Sequence, residues 1–388
     1  MLVDRQLMEV DLAEHLFGRE GSGLLPRSEQ AQLKTYLLEA HDARVLQSVE
    51  YFLEEIADGA EVSVRGTDDA SLFLMTAHVE TERGPQEAGF WLDAANPRYW
   101  LLHTKSNAKP AQAALRRLIS ASKRLDHGWL PRAQLRSIQQ FFMPFGFRLG
   151  FDERPFYAGY DVVELAEPTH KLSVEHAGVG ADEIYELLNV STITRRAMAV
   201  REVAFWDRSA EGTQVLRLTR DGRLRSTGMS LTSHLKAARA LLRSYETFVM
   251  SLEQQFGLRV IDTDASVVIE GQPLSLRASQ PHGFDFKALV ERMFSGIEPF
   301  RLLGGVDWRD DELAWVEAVD LHTGAPLRVD VTPSWIRLYL PRGICGNTLA
   351  RFVTNLQRTY NADIQYFDGR AEEVFEPSSQ MVASGEAK

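Results

Sequence analysis

Lysines and arginines crowd one stretch of this chain in a pattern suited to anions. Between Leu101 and Arg136 stand Lys105, Lys109, Arg116, Arg117, Lys123, Arg124, Arg132 and Arg136 against the single acid Asp126. That is a local charge of +7 in a chain of formal net charge −11, so the remainder carries −18. Ala111, Ala114, Leu115, Leu118 and Leu125 recur at helical spacing over Pro110–Leu125, and Arg116, Arg117, Lys123 and Arg124 fall largely off that stripe. Lys105 and Lys109 sit in the loop before the helix, where unpaired N–H groups and the helix dipole also favour negative charge. Together these features could grip a phosphate backbone with little sequence selectivity, counterion release supplying the affinity. The plainer alternative is a solvated helix face matched to the acidic remainder of the same protein.

Two further sets point the same way. Arg195–Arg225 holds eight arginines against four acids, with Arg217 alternating with Leu216 and Leu218, and with Arg223 and Arg225 after an Asp221-Gly222 turn. Cross-strand Arg–acid pairs on a wet sheet face would explain them equally well. In Trp335-Ile-Arg-Leu-Tyr-Leu340, alternation places Trp335, Arg337 and Tyr339 on one strand face. Such a row could stack bases or anchor a protein, although aromatics half-buried under a helix have the same pattern.

Catalytic constellations are thinner. Asp307, Asp310, Asp311 and Glu312 could offer oxygen ligands to Mg²⁺, but their spacing also fits a hairpin loop. Asp320 and His322 are two apart and share a strand face, which permits an acid–base pair without an evident nucleophile; a satisfied surface histidine is the simpler reading. The Gly178-Val-Gly180 pair lacks the third glycine of a dinucleotide fingerprint. No transition metal and no nucleotide cofactor is expected, because one cysteine and dispersed histidines leave no ligand cluster. Cys345 between glycines reads as an inert small side chain.

The elements that must position these residues follow from composition and period. A chain of 388 residues with 44% hydrophobic and 25% charged content is an ordinary globular chain of two or three domains. The single cysteine excludes a disulfide framework, and no apolar run approaches a membrane span, so a cytoplasmic protein is expected. Periodicity predicts a helix at residues 4–17, a long helix over Ser28–Ile56, strands at Glu61–Arg65, Ser71–Val79, Gly89–Asp93 and Arg98–His103, and the basic helix. A strand pair followed by an amphipathic helix recurs at Gly89–Ile119, Thr213–Leu242 and Pro326–Leu356.

The fullest match joins Lys171-Leu-Ser-Val-Glu175 to Pro273-Leu-Ser-Leu-Arg277, each leading into the order β-α-β-β-β-β-α. That order resembles each half of TATA-binding-protein-like folds, a resemblance of element order alone, which implies antiparallel sheets with flanking helices and nothing about DNA. The expected fold class is therefore α+β, in tandem duplicated modules. An N-terminal helix and linker (1–27) precede a divergent module carrying the basic helix (28–145), two well-formed modules (146–256 and 257–370) and a disordered tail (371–388). Repetition without a clustered reactive set favours binding over catalysis. The leading expectation is a non-catalytic subunit of a larger complex that contacts nucleic-acid backbone and no membrane. A protein–protein scaffold stands second, and an enzyme with a dispersed site third.

Overall fold

The computed structural model describes residues 2–17, 32–41, 48–139, 141–152, 171–209, 212–263, 266–277 and 285–367, so the tail expected to be disordered lies outside the described residues. In chain order the elements are α1 (Leu2–Phe17), β1 (Leu33–Ala40), α2 (Val49–Ala60), β2 (Val62–Gly66), β3 (Leu72–Thr81), β4 (Gly84–Asp93), β5 (Tyr99–Thr104), α3 (Ala108–Ala121), β6 (Leu125–His127) and α4 (Arg132–Gln139). There follow β7 (Met143–Asp152), β8 (Lys171–Ala177), α5 (Ala181–Val190), α6 (Thr192–Ala197), β9 (Ala199–Ser209), β10 (Gly212–Thr219), β11 (Arg223–Thr227) and α7 (Leu231–Phe256). The last are β12 (Gly257–Thr263), β13 (Ser266–Glu270), β14 (Leu274–Arg277), α8 (Phe286–Met293), β15 (Leu302–Trp308), β16 (Ala314–Asp320), β17 (Pro326–Val331), β18 (Trp335–Pro341), α9 (Gly346–Thr359) and β19 (Gln365–Phe367). The class is α+β, with sheets built mainly from antiparallel pairs. The chain divides into two compact units. Met1–Trp129, Phe142–Phe145 and Val203–Glu246 form the first; Leu130–Phe141, Gly146–Glu202 and Thr247–Lys388 form the second.

In the first unit the strands run β2-β3-β4-β5-β1-β11-β10, with β6 beside the C-terminal half of β1. Asn96 makes the β4–β5 turn, its Oδ1 accepting from the backbone N–H groups of Arg98 and Tyr99 at 3.0 and 3.1 Å. Helix α2 starts where Ser48 accepts the Tyr51 N–H at 3.2 Å, a standard N-cap. Helices α2 and α3 bury Phe52, Leu53, Ile56, Ala114, Leu115 and Leu118 against Tyr36, Leu38, Met75, Trp100 and Leu102. Phe52 meets Trp100 edge-on at 5.9 Å. The opposite face of the sheet is also covered. Tyr245 of α7 stands edge-on to Tyr99 at 5.6 Å, and Met8, Leu12 and Leu16 of α1 pack with Leu33, Leu72, Leu231 and Leu235.

This double cover corrects two expectations. Ser28–Ile56 is not one helix, because Leu33–Ala40 is a strand and the helix begins at Val49. All eight residues of β1 are buried, so its sequence LKTYLLEA shows no in–out alternation and reads as helix by period. The basic helix also stops at Ala121, leaving Lys123 and Arg124 in a turn and Leu125 at the start of β6.

Polar side chains on β1 must then find partners inside. The Lys34 ammonium donates to the carbonyls of Gln32 and Ser106, both at 3.0 Å. Glu39 pairs with Arg98 at 2.6 Å. The Thr35 hydroxyl lies 2.8 Å from His103 Nδ1 and 2.7 Å from His234 Nε2. One hydroxyl has one proton, so one ring accepts from it and the other donates to it. Burial pushes His103 down to about 4 and His234 to about 3, which keeps both rings neutral.

In the second unit β7 and β8 form an antiparallel pair, with Arg148 opposite Glu175 and bonded to it at 2.7 Å. The other sheet runs β13-β12-β18-β17-β16-β15, and β14 pairs with both β18 and β19. Burial alternates along β16 and β18, so one face is covered and one is open. Helix α9 is buried continuously from Gly346 to Gln357. Asp320 ends β16 in this interior and accepts from Arg351, from Thr348 and from the His322 N–H, while Arg351 Nε reaches the Phe300 carbonyl at 2.8 Å. Asp320 and Arg351 are both fully buried, and the neighbouring His322 is buried too rather than at the surface.

The expected match of segments 171–256 and 273–360 is not what the strands show. The former has three strands between its helices (β9, β10, β11) and the latter four (β15 to β18). Instead, β1-α2-β2-β3-β4-β5-α3-β6 and β14-α8-β15-β16-β17-β18-α9-β19 share element order. They also share strand order, a four-strand meander whose last strand pairs with the first strand of the group, itself paired with the last. The order resembling TATA-binding-protein-like halves thus describes residues 33–127 and 274–367.

Two outcomes follow for stability. His103 and His234 have folded pKa values below the unfolded value, so their contribution is complete above about pH 6.5 and is lost as pH falls toward 4. Thermal melts should show Tm steady from pH 8 to 7 and dropping between 6.5 and 4, with a smaller drop in His234→Gln. Arg351→Met leaves the Asp320 carboxylate buried and unpaired, at a cost of about 3–5 kcal/mol in urea unfolding. The double variant Asp320→Leu, Arg351→Met should cost less than that single change.

Candidate functional site

The basic contacts expected around α3 fall in the first unit, and carboxylates already occupy at least three of the six. Lys105 bonds Asp11 at 2.5 Å and Lys109 bonds Glu82 at 2.7 Å. Arg117 reaches Glu61 at 3.2 Å and the His78 carbonyl at 2.8 Å. Arg116, Lys123 and Arg124 are exposed. Lys105 also lines a cleft of about 550 Å³ with His15, Gln86, Glu87, Ser106, Asn107 and Pro110, where the Glu87 carboxylate makes a poor setting for phosphate. Arg217 lies opposite Arg225, which lies opposite Lys34, and Arg223 lies opposite Tyr36. These five are on the half-buried to buried α2/α3 side of the sheet, not on a wet strip. Burial raises the Tyr36 hydroxyl to about 12.

In the second unit the aromatic row on β18 lies on the open sheet face as alternation requires. Trp335 is 37% exposed, with the Arg337 guanidinium 5.4 Å from its ring centre. Arg337 donates to Ser275 at 3.2 Å, and the Tyr339 hydroxyl donates to Asp330 at 3.0 Å. Trp315 on the same face carries the guanidiniums of Arg309 and Arg328 at 3.9 and 4.8 Å from its ring centre. Its π-surface is engaged by cations, and Asp307, Glu317 and Asp330 interleave with the arginines. The Asp307, Asp310 and Asp311 carboxylates have protein partners: Asp310 caps the Glu312 and Leu313 N–H groups in the β15–β16 turn, Asp307 pairs with Arg309 at 2.7 Å, and Asp311 pairs with Lys287 of α8 at 2.9 Å. Cys345 is a buried thiol outside any disulfide.

The feature that sequence reasoning missed is the β12–β13 hairpin. All five residues of β13 are exposed, in a strand carrying Val267, Val268 and Ile269. The register sets Val260 opposite Ile269 and Asp262 opposite Val267, so Val260, Ile269 and Val267 share one face, each about two-thirds exposed. Arg259, Glu270, Ile261 and Val268 occupy the other. Among the described residues, Gly257 and Leu258 at the start of β12 pair in parallel with Leu340 and Pro341 of β18. On the second face, Arg259 and Glu270 join Met250, Glu253, Gln254, Gly257, Gly271, Arg342 and Gly343 around a cleft of about 420 Å³. A run such as SVVIE suggests a core strand; nothing in it announces that both faces stay wet.

The protein is thus of the α+β class, a two-unit chain that presents an exposed apolar hairpin beside a cleft with two arginines. No helix among the described residues is long and apolar enough to cross a membrane. The chain belongs to the MJECL33-like protein family, whose model matches residues 26–375. It is similar to a protein of Methanocaldococcus jannaschii named "Uncharacterized protein MJECL33", at 26% identity over 381 residues covering 86% of each chain.

Because Val260, Val267 and Ile269 are solvated, replacing all three with Thr should change unfolding free energy by no more than about 0.5 kcal/mol per site. A guanidinium titration of the triple variant checks this.

Proposed function

We propose that this protein is a binding subunit whose partner is another protein, docked on the β12–β13 hairpin. The observation that carries this reading is the apolar face of Val260, Val267 and Ile269 on a strand with every residue exposed. Native edge strands are usually blunted by lysine, proline or a bulge, whereas β13 offers three consecutive β-branched apolar residues and one terminal acid. An extended partner segment can add to such an edge through its main chain and seat alternate side chains on the apolar face. Asp262 beside Val260 favours a segment that flanks its apolar residues with Lys or Arg.

Binding of nucleic-acid backbone is the second reading, supported by the exposure of Arg116, Lys123 and Arg124. Its weakness is the field around them: Asp11, Glu82 and Glu61 stand against at least three of the six cations expected to make contact. Exposed pairs are worth only about 0–1 kcal/mol each, so they dilute the patch rather than lock it.

The test is photocrosslinking in cells of the source organism, with the probe at Val267, at Ile269 or at the solvent control Glu87. One shared protein adduct at the two hairpin positions and none at Glu87 is expected. Absence of hairpin adducts, together with duplex binding that weakens steeply with salt and is abolished by Arg116→Glu with Lys123→Glu and Arg124→Glu, would overturn it in favour of nucleic acid.

A further inference from the structure

The cleft on the second face of the hairpin has a charge arrangement that the docking reading does not use. Strands β12 and β18 pair in parallel at Gly257–Leu340 and Leu258–Pro341, and the Arg342 N–H continues the ladder to the Leu258 carbonyl at 2.8 Å. Strand β18 ends at Pro341, and the turn at Arg342–Gly343 carries Arg342 to the same cleft that Arg259 of β12 lines. Both arginines line the cleft, and neither guanidinium makes an ion pair or side-chain hydrogen bond among the described residues. Two guanidiniums lining one cleft repel, and an anion held between them relieves that repulsion.

The two acids of the cleft do not cancel the arginines. Glu253 accepts the Gly346 N–H at 2.8 Å, so the N-terminus of α9 already compensates its charge. Glu270 stands opposite Arg259 across the hairpin without closing on it. Two guanidinium forks offer the planar paired donors that match phosphate oxygens. The volume of about 420 Å³ exceeds that of a bare ion and falls in the range of small-molecule sites. Glu270 and Gln254 are then placed to accept hydrogen bonds from the hydroxyls of whatever carries the phosphate.

We propose that this cleft binds a small phosphorylated polyol, its phosphate held by Arg259 and Arg342. The experiment is calorimetric titration of the full chain at low ionic strength with ribose 5-phosphate, inorganic phosphate, ribose and citrate. Ribose 5-phosphate should bind more tightly than inorganic phosphate, and ribose should give no heat. Arg259→Gln and Arg342→Gln should each weaken binding at least tenfold with an unchanged circular dichroism spectrum, while Glu270→Gln should tighten inorganic phosphate. The triple Thr variant of the hairpin face should bind as the parent does, which separates this site from the docking surface. Absence of binding by both phosphates at millimolar concentration, citrate binding as tightly as the ester, or affinity unchanged in both arginine variants would overturn the proposal.

Discussion

Strand β1 has no wet face, and the first unit is organised around that condition. Helices α2 and α3 cover one side of it while α7 and α1 cover the other, so Lys34, Thr35 and Glu39 cannot turn to water. Each is satisfied by a specific partner brought from elsewhere in the chain: the Ser106 carbonyl, the His103 and His234 rings, and the Arg98 guanidinium. An unpaired buried polar group costs more than a made hydrogen bond returns. The cost of misplacing any one partner therefore fixes the position of β5, and of α7 against the strand. The two histidines stay neutral for the same reason, since the attraction of Asp93 for a charged His103 is outweighed by desolvation and Lys34 adds to the penalty at His234.

The second unit solves a similar problem with an ion pair. Helix α9 carries Asn347, Thr348, Arg351, Thr354, Asn355 and Gln357, yet it is buried on every side over that span. Asp320 answers Arg351 and Thr348, the Phe300 carbonyl answers the second donor of Arg351, and Gln357 accepts the Arg132 N–H at 3.0 Å. The meander groups of the two units share one strand order, but their first strands differ in environment. β1 is sealed throughout, whereas β14 alternates and ends at the exposed Arg277.

Against these closed interiors, the hairpin and its cleft are open. Its apolar face and its arginine face lie on opposite sides of two strands, as the two-residue period of a strand dictates. A protein segment and a small anion could therefore be held without competing for the same side chains. Membership of the MJECL33-like family covers the hairpin as well as the meanders, since the match spans residues 26–375.

Most amphipathic elements were legible in the sequence, because their period records one-sided burial. α3, α7, β3 and the row Trp335, Arg337, Tyr339 all lie where alternation or helical spacing puts them. Burial on two faces can blur the period: LKTYLLEA lost its strand signature, and α9, expected as an amphipathic helix, is buried continuously from Gly346 to Gln357. The basic patch was visible as composition, but its partners Asp11, Glu82 and Glu61 are 94, 27 and 56 residues away in sequence. The exposed hairpin was hidden for the converse reason, since apolar β-branched residues look the same whether or not anything covers them. Local period thus determined the helices and strands that are covered on one side, but not β1. The cover each received, and with it the protonation of the histidines and the pairing of each charge, was decided only by the tertiary structure, because burial depends on contacts that no local window contains.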